Sequence, residues 1–185
     1  MKKRPSLTTS KPSAPTEPPN LAGDLCPACG LCCNGVLFSD LRLQRGDDPK
    51  RLAKLGLPLE RHGRSFRLPQ PCPAHDGQLC RVYADRPARC RSFECRLLQH
   101  AQAGEIRTET ALRVIAAARH RTDQVRTLVR LLGQNDENAP LSKRWQQIMS
   151  QPWDLAGAGQ TLRLRRRLLL AVHALTRILE KDFLT

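Results

Sequence analysis

Through the second half of the chain, apolar residues recur every three or four positions. Leu112, Ile115, Ala118, Thr122, Val125, Val129 and Leu132 fall on one face of a 3.6-residue helix, and Gly133 supplies its stop. Pro140 followed by Leu141 to Met149 predicts a second, shorter helix, while Leu164, Leu168, Val172, Leu175 and Leu179 predict a third from about Thr161 to Asp182. Two long amphipathic helices joined through a short one can pack as a hairpin. Before residue 100 the pattern is weaker. Asp48, Pro49 and Gly56 take the positions of N-cap, first helical residue and C′ glycine around Arg51-Leu52 and Lys54-Leu55, which predicts a short helix at about 49–55. Val36 to Leu43 and Ser65 to Leu68 alternate only briefly and read as connectors or a small hairpin.

Composition supports a helical reading. Aromatic residues make up only 4% of the 185 positions, so the apolar material is mostly Leu, Ala and Val, which suits helices better than a β-sandwich. The fold class expected is mainly α: a small, irregular, cysteine-rich metal-binding domain followed by long C-terminal helices. Three regions follow. Residues 1–22 carry Pro5, Pro12, Pro15, Pro18 and Pro19 among Ser and Thr and predict a disordered tail. Residues 23–100 hold all eight cysteines, and residues 101–185 form the helical region.

The formal charge of +14 is spread over those regions as +3, +5 and +6. So diffuse an excess favours acidic partners without specifying one. Its densest run is Arg163-Leu164-Arg165-Arg166-Arg167, a surface for an acidic protein or RNA on one reading and a solvated helix face on the other; only Trp145 and Trp153 lie near it for base stacking. The longest apolar runs, Val114 to Ala118 and Leu168 to Val172, are far below the roughly 20 residues a membrane span needs, so no membrane is expected. Met1-Lys2-Lys3-Arg4 could begin a secretory signal, but Pro5 to Asn20 provides no apolar stretch after it. A cytoplasmic location is therefore expected, where an even cysteine count reads as metal ligation before disulfides.

Cys26, Cys29, Cys32 and Cys33 put four sulfurs within eight residues, and Cys72, Cys80, Cys90 and Cys95 follow. The two-residue gaps let a tight turn aim successive sulfurs at one point, as zinc and iron–sulfur clusters both require. Cys32 and Cys33 are adjacent, and neighbouring side chains diverge, so the pair is not expected to serve one ion. Two centres or one polynuclear cluster are favoured over a lone zinc. All eight cysteines are candidate ligands for zinc or iron, a four-iron, four-sulfur cluster included, and folding is expected to be coupled to metal binding.

These residues resemble the YkgJ-type cysteine-cluster proteins, a CxxCxxCC family also described as a zinc- or iron-chelating domain. The resemblance rests on Cys26, Cys29, Cys32 and Cys33, and then on Cys72, Cys80, Val82-Tyr83, Arg86-Pro87, Cys90-Arg91, Phe93 and Cys95. It implies metal or iron–sulfur binding, with no assigned biochemical role for most members. A related cluster in flagellin lysine methylases raises the alternative of an iron–sulfur-dependent enzyme for redox chemistry or protein methyl transfer. The helices after residue 105 lie outside the resemblance.

No phosphate-binding glycine loop, nucleophile elbow or His-Glu-x-x-His motif is present, so no catalytic residue is assigned. Tyr83, Arg86 and Phe93 could line a substrate site but read more simply as turn and packing residues. His75 lies between two cysteines, yet with eight sulfurs a nitrogen ligand is unnecessary.

Overall fold

The structure, a computed structural model, describes residues 21–153 and 159–184. The Pro-rich segment expected as a tail lies outside the described residues except for Leu21 and Ala22, which open the first helix. Among the described residues the chain is mainly α-helical, with seven α-helices and one three-stranded sheet. Helix α1 is Leu21–Cys29, α2 Pro49–Lys54, α3 Ala88–Ser92, α4 Arg96–Gln102, α5 Thr108–Leu131, α6 Leu141–Ser150 and α7 Gly159–Ile178, the last running into a π-turn at Leu179–Phe183.

The three helices predicted from periodicity are all present. In α5 the buried face is Ala111, Ile115, Ala118, Thr122, Val125, Leu128 and Val129, and the Thr122 hydroxyl is satisfied by donating to the Ala118 carbonyl at 2.9 Å. Leu112, placed on that face by spacing, is instead 40% exposed at its edge. The start of α5 shares a core with Leu25, Leu31, Leu97, Leu98 and Phe183, whereas its second half packs on Leu141, Ile148, Leu168 and Leu175. Because the beginning of α5 meets the end of α7, the two helices run antiparallel, with α6 as the link.

The short segments before residue 70 are more ordered than their patterns suggest. Strands β1 (Asp40–Arg42), β2 (Glu60–His62) and β3 (Ser65–Pro69) form an antiparallel sheet in the order β1-β3-β2, pairing Leu41 with Leu68 and Arg61 with Phe66. Strand β2 is exposed throughout, so no apolar alternation marks it. Asp48 caps α2 as its position predicts, its carboxylate accepting from the Lys50 and Arg51 N–H groups at 2.9 and 3.1 Å. Leu52, Leu57, Leu68 and Ala74 make the only buried cluster between sheet and α2 among the described residues. Four apolar side chains are few for so long a stretch, the situation in which small folds rely on crosslinks or metals.

Candidate metal centre

The cysteine-bearing segments meet where α1, the loop after it, α3 and the start of α4 converge. The spacing of Cys26 and Cys29 suggests a tight turn; the structure instead puts both on the last turn of α1, three residues apart on one face. Gly30 ends that helix at a φ of +67°, donating its N–H to the Cys26 carbonyl at 3.0 Å. The chain then reverses tightly, with the Cys33 and Asn34 N–H groups both donating to the Gly30 carbonyl. Cys72 is tied to this loop by its N–H, which donates to the Cys33 carbonyl at 2.8 Å. Cys80 pairs with His75 in an isolated antiparallel bridge. Cys90 rides on α3, whose first N–H, from Ala88, donates to the Asp47 carboxylate at 2.8 Å. Cys95 is the N-cap of α4.

All eight thiols are free; Cys26 is exposed and the other seven are half-buried. Their mutual influence is strongest within two groups. Cys26, Cys29 and Cys32 are each perturbed by the charge of Cys95, and Cys32 is perturbed most strongly, among the cysteines, by Cys29. After burial, Cys33 is acted on by Cys90, Cys72 and Cys80 and less by Cys26, Cys90 by Cys72 and Cys80, and Cys32 also by its neighbour Cys33. Packing draws the same division, since Cys29 and Cys95 lie against the α1–α4–α5 core whereas Cys72 and Cys80 lie against the sheet and α2. Adjacent Cys32 and Cys33 stand where the two packing regions meet, Cys33 joined to Cys72 through its carbonyl.

Burial is the largest cause of every resolved cysteine shift. It pushes the Cys29 and Cys90 thiols up to about 11 and Cys33 to about 12, and raises Cys26, Cys32, Cys72 and Cys95 as well. Against burial stand backbone N–H groups aimed at sulfur: Leu31 at Cys29, Ala74 and His75 at Cys72, and Leu98 and Leu97 at Cys95. A neutral thiol is a weak acceptor, so paired donors two and three residues on suit a thiolate. Arginines add to this. Arg86 acts on both Cys26 and Cys90, Arg81 on Cys72 and Arg119 on Cys29, in each case favouring the thiolate. The Arg86 guanidinium stacks 3.8 Å from the Tyr83 ring centre, and its Nε is buried with no partner within the protein.

This donor set fits zinc or iron: eight sulfurs, oriented N–H groups and a buried guanidinium nitrogen between the sets. Among the described residues no three His, Cys, Asp or Glu side chains stand tightly enough to grip one ion as they are.

Residues outside the sulfurs are placed as follows. Phe93 packs edge-on against Phe38, ring centres 5.0 Å apart, while Tyr83 is exposed beneath Arg86. His75 is pressed against Gly30, and burial lowers its pKa. The basic run on α7 is not a uniform face. Arg165 is buried, donating to the Gln151 and Pro152 carbonyls and to Gln151 Oε1, so only Arg163, Arg166 and Arg167 face solvent. No helix among the described residues is long and apolar enough to cross a membrane.

Fold and site together define a mainly helical protein organised about a cluster of cysteines. Residues 25–111 match the family model CxxCxxCC, described as "Putative zinc- or iron-chelating domain". The match extends through α4 into the first turn of α5, past the last cysteine. No curated protein and no solved structure matches the chain.

Proposed function

We propose that this chain is a metal-binding protein holding zinc or iron at two four-cysteine centres, Cys26, Cys29, Cys32 and Cys95 in one and Cys33, Cys72, Cys80 and Cys90 in the other. What supports the reading is packing: Cys29 and Cys95 lie against the α1–α4–α5 core, Cys72 and Cys80 against the sheet and α2, and Cys33 is tied to Cys72 by a backbone hydrogen bond. Both centres are structural on this reading, fastening the loops after α1 and after β3 to α1, α3 and α4 in place of a larger apolar core. Eight free thiols suit a reducing compartment, which makes the cytoplasm the proposed location.

Anaerobic purification followed by elemental analysis and an absorption spectrum tests the reading. Two equivalents of zinc with no visible absorption is the expected result. Iron with sulfide and a brown chromophore would move the proposal to an iron–sulfur protein, with redox or methyl-transfer chemistry the next question. Metal content well below one equivalent per chain, with all eight thiols reactive, would end it.

A further inference from the structure

A cavity of about 430 Å³ lies behind the cysteine loops, between Cys29, Cys33 and Cys72 on one side and α5 and α6 on the other. Its far wall is cationic. Arg119, Asp123, Arg126 and Arg130 recur along one face of α5, and Arg144 enters from α6. With Glu137, the wall holds four guanidiniums against two carboxylates, a surplus of two positive charges.

Those carboxylates are already engaged, Asp123 with Arg126 at 3.6 Å and Glu137 with Arg130 at 3.1 Å. Arg119 and Arg144 have backbone carbonyls as partners, at Ala28 (2.7 Å) and Gln134 (2.9 Å), with no carboxylate bridged to either among the described residues. Arg144 is only 3% exposed, and its Nε is buried without a partner. A guanidinium buried in this way is costly unless an anion meets it. Asn34 also lines the cavity: its carbonyl accepts from Arg126 at 3.3 Å, and its Oδ1 is buried with no donor. The cysteine centres do not account for this wall: Arg119 acts on Cys29, but Arg126, Arg130 and Arg144 are absent from the charges that act most strongly on any cysteine.

We propose that this cavity binds a small dianionic oxyanion, a phosphate or dicarboxylate group, held by Arg126, Arg130 and Arg144 with Arg119 at its edge and a protonated oxygen or hydroxyl facing Asn34. The volume exceeds that of a single phosphate and falls in the range of small-molecule sites, so the natural ligand is a metabolite-sized anion bearing such a group. This site goes beyond the metal reading, since its cationic residues follow the family match and need no metal to be charged.

The test is calorimetric titration of the full chain in a phosphate-free buffer at fixed ionic strength, with metal content assayed in each sample. Inorganic phosphate is one probe and succinate the other. One saturable site is expected for at least one probe, weakened about tenfold or more in Arg126→Gln and in Arg130→Gln, and unchanged in Arg166→Gln on the exposed face of α7. Phosphate alone binding assigns a phosphate group, succinate alone a dicarboxylate, and both a general dianion site. Arg144→Gln should lose most, and the Arg126 and Arg130 variants keep the test decisive if that buried substitution disturbs folding. Absence of saturable binding by either probe up to about 10 mM, or equal binding by wild type, Arg126→Gln and Arg130→Gln, overturns the site. Unaltered metal content in the variants keeps this failure distinct from failure of the metal centres.

Discussion

Gly35 lies against Pro71 so closely that a Cβ built on it would stand 3.1 Å from the ring Cδ and Cγ atoms. The contact joins the loop after Cys33 to the residue before Cys72, and Gly35 is buried there at a φ of +75°.

Gly35→Ala therefore combines two costs, a left-handed backbone and an overpacked contact. Gly56 after α2 has a φ of +82° but nothing within 4 Å of the same added atom, so Gly56→Ala isolates the backbone cost at about 1 kcal/mol. Overpacking adds roughly 1–3 kcal/mol at Gly35. Denaturant unfolding of the metal-loaded variants should rank them in that order, and equal losses would show that the two cysteine segments do not press together here.

Cys32 and Cys33 provide the sharpest test of the two sets. Cys32→Ser should cost the metal of the set with Cys95, and Cys33→Ser that of the set with Cys90, each leaving about one equivalent of two. The double variant should retain none. A single polynuclear cluster would instead be lost whole in either single variant, so metal-to-protein ratios from the three proteins decide between these arrangements.

How much of this was legible in the chain differs by segment. Helices α5, α6 and α7 are readable because each buries one stripe against a neighbour, and burial of a stripe enforces a 3.6-residue period in the sequence. Strand β2 is not, since Glu60, Arg61 and His62 are all exposed and bury nothing that could set a period. Helix α1 is concealed by Pro27, which sits inside it near its C-terminal end and argues locally against a helix. The density of cysteines is plain in the sequence, but where the distant ones come to lie depends on the Cys72–Cys33 hydrogen bond, on Asp47 at α3 and on Cys95 at the start of α4. Those are long-range contacts with no local signature. The anion cavity is less visible still, because Arg144 looks like any surface arginine until α6 turns it inward.

Stability should respond to pH in opposite senses with and without metal. In the metal-free chain burial holds the thiols of Cys29, Cys33 and Cys90 at about 11 to 12, above the ordinary value of 9.0. The folded state then binds protons more tightly than the unfolded one, so this contribution is full below about pH 9 and lost as pH rises through about 11 to 12. Metal ligation needs the thiolates, so the loaded chain should release metal as pH falls. Thermal midpoints of the chelated chain and metal retention of the loaded chain, each followed against pH, check both signs. A chelated chain that gains stability between pH 9 and 12 would contradict the burial of neutral thiols.

Arg165 and Arg166 are neighbours in the basic run of α7 but differ in what they touch. Arg165 is 7% exposed and makes three hydrogen bonds to Gln151 and Pro152, with its guanidinium 5.9 Å from the Trp153 ring centre, so it holds the end of α6 to α7. Arg165→Ala removes all three hydrogen bonds together with the packing of a buried side chain and should cost about 2 kcal/mol or more. Arg166→Ala, on the solvent side, should change stability by less than about 0.5 kcal/mol. If the run bound RNA through its charge, removing either arginine would weaken salt-dependent RNA binding to a similar degree. The structure predicts the reverse separation, a large stability loss for Arg165→Ala alone and no RNA affinity that distinguishes the two. Filter binding across a salt series, set beside denaturant unfolding of both variants, tells these outcomes apart.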